Sequence, residues 1–340
     1  HFVWFGRSFP WLNWLAVRSA ADRGGYDRVI LHHADDLEST PYFRDLARDS
    51  RVECVPLDFP GLLELVSGVA PGIVEVAGRI SARPAMKSDL ARMALLWLHG
   101  GVYLDVDTVS VAPLDDLRAA CGFFCGMERL VWPAAVRASR NPLVWGAATL
   151  RSFSRDLLRR HPQGWRHFRR IEQWFPLAVN GAVLGAAPGH PFLAELLTRA
   201  GVLRAEELAC SRDALGPDLL QNASRDFPTA DVTILPPEFF FPLGPEISEH
   251  WFRVHQPGRR PHLEDVLFPE TRVVHWYGSV RARENMRVFD ASYVRAHRDQ
   301  QLLAELAAPW AGLADQSRSG DLPPGGLVSA GRTHDCRNTK

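Results

Sequence analysis

The sequence predicts an α/β fold with parallel strands, and three observations carry that expectation. Short apolar runs alternate with helical segments up to Val55, a regular helical stripe runs from Met86 to His99, and a Gly-Gly break turns that helix into another apolar strand.

Taken in order, Phe2-Val3-Trp4-Phe5 reads as the first strand, closed by Gly6, and Trp11 to Ala21 as the first helix. Arg28-Val29-Ile30-Leu31-His32 is a second strand, Asp45 to Arg48 a short helix and Val52-Glu53-Cys54-Val55 a third strand. From Met86 onward, Met86, Leu90, Met93, Ala94, Trp97 and Leu98 keep the spacing of one helix face. Gly100-Gly101 stop this helix, and Val102-Tyr103-Leu104 form a buried strand that ends in Asp105 and Asp107. Asp89 and Arg92, three residues apart, share one flank of the helix, so it can aim both at one place.

Residues 112–175 read as less regular, with arginines concentrated over 151–170. Leu177 to Leu184 reads as a strand interrupted at Asn180-Gly181, followed by a helix after His190-Pro191. Asp231 to Leu235 and Arg272 to Trp276 are the last strands expected. Beyond Gly312 the composition turns to Gly, Ser, Pro and Arg, the signature of a disordered tail. The expected organisation is one domain over 1–312 and a tail over 313–340, with no internal repeat.

With 46% hydrophobic and 23% charged residues the chain has the composition of a water-soluble globular protein. Its formal net charge is zero, which gives no global field for nucleic acid or an anionic surface. Lys87 and Lys340 are the only lysines, so the positive charge is almost all arginine. Five cysteines, Cys54, Cys121, Cys125, Cys210 and Cys336, lack the spacing of a zinc site and read as free thiols of a reducing compartment. No apolar run reaches the roughly 18 residues of a membrane span. No signal peptide is visible, which favours the cytoplasm, although the chain opens at His1 without a methionine. The sequon Asn222-Ala223-Ser224 reads as a chance match.

Asp105 and Asp107 pose the chemical question. A carboxylate at the end of a buried strand is costly without a compensating cation, and oxygen ligands favour Mg²⁺ or Mn²⁺. Asp-Val-Asp has three readings. Two surface aspartates at a turn is the simplest. A phosphatase of the haloacid-dehalogenase type is the second, because Asp105-Val106-Asp107-Thr108 fits its motif; that class needs a later lysine, and the only one after Thr108 is Lys340. The third is a nucleotide-sugar transferase, in which the carboxylates hold a divalent ion against a departing diphosphate.

The run Lys87-Ser88-Asp89-Leu90-Ala91-Arg92 … Leu96-Trp97-Leu98-His99-Gly100-Gly101-Val102-Tyr103-Leu104-Asp105-Val106-Asp107 resembles the signature of glycosyltransferase family 32. It is also similar to the core of the large clostridial glucosylating toxins. The resemblance is dense over 84–117 and thinner over the start of the chain, 177–192 and 272–279. It implies a GT-A fold with a mixed, mostly parallel sheet flanked by helices, and a metal-dependent transferase that retains anomeric configuration.

Carried onto this sequence, the resemblance gives Asp107 and Asp105 as metal ligands, Asp105 also reaching the donor, with His275 as a third ligand. Asp89 and Arg92 would bind the donor, Trp4 would stack on the base and Gly6 would let the backbone approach it. Asn180 would line the donor sugar, Ser279 would contact phosphate and Asp218 would bind an acceptor hydroxyl. The sequence departs from the family at Val280, where a tryptophan is expected. Read without the resemblance, the same residues fit a helix-surface ion pair, a core tryptophan, an Asn-Gly turn and a turn aspartate. The implied partners are a nucleotide-sugar donor and a glycan, glycolipid or small-molecule acceptor, with no nucleic acid. The arginines of 151–170 fit either a solvated helix face, the simpler reading, or peripheral membrane contact. A non-catalytic carbohydrate- or nucleotide-binding module on the same fold is the competing function.

Overall fold

Strand β1 (Phe2–Trp4) lies parallel to β2 (Val29–His33), which lies parallel to β3 (Val52–Pro56). Helix α1 (Trp11–Arg23) makes the first crossover and α2 (Pro41–Leu46) the second. These are right for parallel neighbours, which need a crossover rather than a hairpin. This computed structural model describes residues 1–227, 231–256, 261–278 and 288–312.

Three helices follow, α3 (Phe59–Leu65), α4 (Ile73–Arg79) and α5 (Pro84–His99). The stripe predicted on α5 is buried at Met86, Leu90, Met93 and Ala94, while Trp97 and Leu98 stay partly accessible. Ala91, Leu95 and Leu96 are buried as well, because the helix is enclosed by α3, α10 (Pro191–Gly201) and the sheet. Gly100 and Gly101 both adopt positive φ, 63° and 89°, and a Cβ on Gly100 would meet Pro188 at 2.6 Å. Only glycine makes this turn at so little cost.

The turn leads into β4 (Gly101–Leu104), then β5 (Thr108–Ser110), α6 (Asp115–Ala120) and β6 (Phe123–Arg129). Helices α7 (Ala134–Arg137), α8 (Pro142–Arg160) and α9 (Gly164–Ile171) precede β7 (Leu177–Ala186). After α10 come α11 (Ala205–Cys210), α12 (Pro217–Asp226), β8 (Val232–Leu235) and β9 (Val273–His275). The second sheet has the order β4-β7-β6-β8, and among the described residues β5 pairs with β9 alone. The Leu104 amide donates to the His1 carbonyl at 3.0 Å, tying β4 to the first sheet.

The fold is mixed α/β, as expected, but the pairings among the described residues divide evenly rather than mostly parallel. β7 runs antiparallel to both its neighbours and β5 antiparallel to β9, against three parallel pairings. The segment 112–175, expected to be less regular, holds β6 and the 19-residue α8. The short helix expected at Asp45–Arg48 instead starts at Pro41 and ends at Leu46, where the proline sits in the first turn. Nor does β7 turn back at Asn180-Gly181: the strand is continuous, and only its pairing to β6 breaks. The described cysteines are free, with Cys125 buried in the core. No helix among the described residues is long and apolar enough to cross a membrane.

Candidate active site

Asp105 and Asp107 occupy the turn between β4 and β5. The Thr108 hydroxyl donates to the Asp105 carbonyl at 2.7 Å, and Asn13 on α1 donates its amide to the Val106 carbonyl at 2.9 Å. Two elements thus fix a turn that propensity alone would leave loose.

Asp107 faces β9. Thr108 pairs in register with His275, which sets the imidazole Nε2 3.0 Å from Asp107 Oδ1, while the Gly278 amide donates to Oδ2 at 2.7 Å. Burial acts to raise the Asp107 carboxyl, but the His275 charge and the hydrogen bonds from His275 and Gly278 outweigh it and hold it below its ordinary range. For His275, burial works downward and Asp107 upward, and the net direction is up. A Cβ on Gly278 would come within 2.7 Å of Trp276, so the backbone reaches Asp107 only because that residue is glycine.

Asp105 faces α5. Its Oδ1 accepts from Arg92 Nη2 at 3.1 Å and from the Tyr103 hydroxyl at 2.7 Å. The same Arg92 nitrogen lies 3.1 Å from Asp89 Oδ1, Arg92 Nη1 donates to the Gly181 carbonyl, and the guanidinium lies over the Tyr103 ring. Burial works against the Arg92 charge, but Asp105, Tyr103 and Asp89 more than restore it. Asp89 is pushed up to about 6 by burial, with Arg92 opposing. The i, i+3 pair is therefore not an exposed helix-surface salt bridge: both residues are 7% exposed, and Arg92 links Asp89 to Asp105.

The break in β7 pairing builds the rest of the cleft. β6 matches Cys125 to Leu184 but Gly126 to Asn180, so Gly181, Ala182 and Val183 bulge away from β6. The bulge offers the Gly181 carbonyl to Arg92 and the Ala182 carbonyl to the Asp105 amide at 2.8 Å. Asn180 Oδ1 accepts from the Ala182 amide at 2.7 Å, and its side chain also hydrogen-bonds Glu128. Glu128 is 5% exposed, raised by burial, and accepts from the Tyr277 hydroxyl at 2.8 Å. Tyr277 holds φ at 59°, an uncommon value for a non-glycine residue, and its ring lies 4.1 Å from that of His275.

Sequence reasoning missed Glu128, Tyr277 and Tyr103. A glutamate in the apolar run Phe123-Phe124-Cys125-Gly126-Met127 was the one available signal, since a buried carboxyl needs partners.

The other expected residues have these partners. Trp4, half-buried at the end of β1, donates its indole N–H to the Gly6 carbonyl at 2.9 Å and meets Phe9 edge-on. Gly6 has φ 152°. Asp218, in the first turn of α12, accepts from Arg137 at 3.1 Å and from the Ser211 hydroxyl at 2.7 Å. Ser279 and Val280 lie outside the described residues, as does the tail at 313–340.

Ligand atoms of Asp105, Asp107 and His275 all lie within 4.8 Å of one another. Two carboxylates and an imidazole suit a hard or borderline divalent ion. His275 Nδ1 is also buried without a hydrogen-bond partner among the described residues. The convergence of two carboxylates and one imidazole is a donor set that fits a divalent cation.

Residues 29–123 match the family model described as a glycosyltransferase sugar-binding region containing a DXD motif. The span runs from β2 to the start of β6 and includes Asp105-Val106-Asp107, so the resemblance seen in the sequence is borne out there. Among solved structures the chain is similar to PaToxG glycosyltransferase, at 15% identity and TM-score 0.43, over 68% of this chain and 70% of that one. It is similar to mouse xyloside xylosyltransferase 1 in its apo form, at 12% identity and TM-score 0.41, over 81% and 96% of the two chains. A third is galactosyltransferase LgtC in complex with donor and acceptor sugar analogues, at 12% identity and TM-score 0.37, over 91% and 96%. Comparison with curated proteins finds no match.

Proposed function

We propose that this chain is a metal-dependent GT-A glycosyltransferase that moves a hexose or N-acetylhexosamine from a UDP- or GDP-sugar to an acceptor hydroxyl, with retention of configuration. The observation that carries the reading is the convergence of Asp105, Asp107 and His275 within 4.8 Å, in a chain whose residues 29–123 match a DXD sugar-binding region.

Asp105, Asp107 and His275 would hold Mn²⁺ or Mg²⁺, which when bound supplies Lewis-acid neutralisation of the leaving diphosphate. Arg92 keeps a permanent positive charge beside that position and fixes Asp105 through Nη2, with Tyr103 fixing the same oxygen. Asp89, held by Arg92, would accept hydrogen bonds from donor-sugar hydroxyls. Trp4 and Gly6 would meet the nucleotide base, and Ser279 a phosphate oxygen. Asn180, fixed by the Ala182 amide and Glu128, would line the sugar opposite the diphosphate. No side chain of the cluster stands free as a glycosyl nucleophile, which supports departure and attack on one face of the sugar. Asp218 would bind an acceptor hydroxyl from the α12 side. Preorganised charge of this kind is usually the largest catalytic contribution.

The test is turnover of a panel of UDP- and GDP-sugars with Mn²⁺ or Mg²⁺, read first as acceptor-free hydrolysis. Hydrolysis of one donor that Asp107→Asn abolishes supports the proposal. Binding of a donor without turnover would favour a non-catalytic carbohydrate- or nucleotide-binding module, and turnover indifferent to Asp107→Asn would overturn the metal assignment.

A further inference from the structure

Helix α8 (Pro142–Arg160) is packed the wrong way round for an ordinary surface helix. Of its 19 residues only Ala148 is fully buried. Leu143, Leu150, Phe153 and Leu157 are 79%, 68%, 70% and 62% exposed. Their spacing of i, i+7, i+10 and i+14 places them in one stripe along the helix. Trp174 extends the patch: it is 63% exposed, and its carbonyl accepts from Arg151 Nε on α8 at 2.6 Å.

The arginines on the other side point inward. Arg155 Nη1 lies 2.9 Å from Glu246, and Arg159 Nε lies 2.9 Å from Glu249. A solvated arginine face, the simpler expectation from sequence, is thus replaced by a clamped arginine face and an outward apolar one. Leaving four large apolar side chains in water costs free energy in proportion to their area, and contiguous exposed patches mark interaction sites.

Charge identifies the occupant. Residues 140–175 carry eight arginines; Arg155, Arg159 and Arg166 pair with Glu246, Glu249 and Asp265 from elsewhere in the chain, and among those left to an outside partner are Arg140, Arg160 and Arg170. Arg140 and Arg160, at the two ends of α8, and Arg170 on α9 are exposed, with no ion pair at salt-bridge distance among the described residues. A second copy meeting this face about a two-fold axis would set like charges against each other. An anionic bilayer accepts both components at once, the apolar side chains at the acyl boundary and the guanidinium groups among the headgroups.

We propose that the Leu143-Leu150-Phe153-Leu157 stripe of α8, with its flanking arginines, docks this protein onto an anionic lipid surface. The inference stands apart from the glycosyl-transfer reading. If that reading holds too, docking would favour a lipid-borne acceptor: α7, just before α8, carries the Arg137 that grips Asp218.

Co-sedimentation of the full chain with vesicles tests it. Binding is expected to vesicles containing phosphatidylglycerol, not to phosphatidylcholine alone, and to weaken as salt is raised. The Leu150→Glu/Phe153→Glu variant is expected to lose about tenfold or more in vesicle affinity. Its far-ultraviolet circular dichroism and its donor hydrolysis in solution should stay unchanged. Arg140→Ala/Arg170→Ala should weaken binding without touching the apolar stripe. Absence of binding to either vesicle, or binding unaffected by Leu150→Glu/Phe153→Glu, would overturn the proposal. So would self-association in sedimentation velocity that those substitutions abolish, which would assign the patch to a second copy.

Discussion

Arg92 and Asp105 are 13 residues apart in sequence and meet at 3.1 Å, one at mid-helix in α5 and the other just past the end of β4. Everything between them serves that meeting: the last two turns of the helix, the Gly100-Gly101 reversal and a four-residue strand. Arg92 is the shared cation of Asp89 and Asp105, and it also donates to the Gly181 carbonyl on β7. Lysine carries its three N–H donors on one nitrogen and cannot span the Nη2 position that meets both carboxylates and the Nη1 position that meets the Gly181 carbonyl. Arg92→Ala should destabilise the fold by about 3–5 kcal/mol, because Asp89 is left buried without its partner. Arg92→Lys should fall between that variant and wild type in urea denaturation, while losing most donor turnover. A lysine variant with full turnover would remove Arg92 from the site.

Metal binding gives a second prediction that needs no substrate. If Asp105, Asp107 and His275 hold Mn²⁺ in the folded state alone, the ion adds about 2.7 kcal/mol of stability at a hundredfold excess over its dissociation constant. Thermal unfolding should therefore shift upward with Mn²⁺ and return on chelation. Asp107→Asn should abolish the shift, whereas Asp218→Asn, on α12, should keep it. A shift that survives Asp107→Asn would place the ion elsewhere.

The contrast between these residues shows what the sequence makes legible. Asp89, Arg92, Asp105 and Asp107 fall within one helix-turn-strand unit, where local periodicity and two glycines dictate direction. His275 needed only strand register to reach Asp107. Glu128 had one local signal, a carboxyl at the end of an apolar run, and Tyr277 had none. Glu128 is buried against Tyr277 and Asn180, which lie far from it in sequence, and Tyr277 adopts a left-handed conformation more typical of glycine or asparagine. The Asn180-Gly181 pair was visible as an irregularity, but whether it turned the chain or bulged the strand depended on pairing with β4. The inward arginines of α8 were invisible for the same reason: Arg155 and its partner Glu246 are 91 residues apart.

The raised Asp89 carboxyl sets a pH dependence. Its value is pushed from the ordinary 3.8 up to about 6 by burial. The folded state therefore binds this proton more tightly than the unfolded chain, so the Asp89 contribution to stability falls as pH rises between these two values. The difference corresponds to about 3 kcal/mol at most. Turnover should run the other way, because Asp89 accepts donor hydroxyls only when ionised. The kcat/KM profile should fall on the acid side near pH 6, through KM for the donor. Asp89→Asn should lower activity and flatten that limb; an unchanged limb in the variant would assign it to another group.

Glu128 carries the last prediction, because both of its partners donate to it and only a carboxyl has an oxygen for each. Its carboxyl accepts from the Tyr277 hydroxyl and is hydrogen-bonded to the Asn180 side chain, whose own oxygen is taken by the Ala182 amide. Asn180 can therefore offer Glu128 only its N–H groups. Glu128→Gln has one oxygen for two donors and sets its own N–H₂ against one of them. The unpaired buried group should cost about 1–3 kcal/mol. Tyr277→Phe removes a single hydrogen bond and should cost about 1 kcal/mol, leaving Asn180 in place. If Glu128 positions Asn180 against the donor sugar, Glu128→Gln should lower kcat by about tenfold or more, the size of a 1.4 kcal/mol loss in the transition state, with KM for the donor little changed. Tyr277→Phe should keep most of kcat despite its lower stability. Equal losses of kcat in the two variants, tracking their unfolding midpoints, would reduce Glu128 to a structural residue.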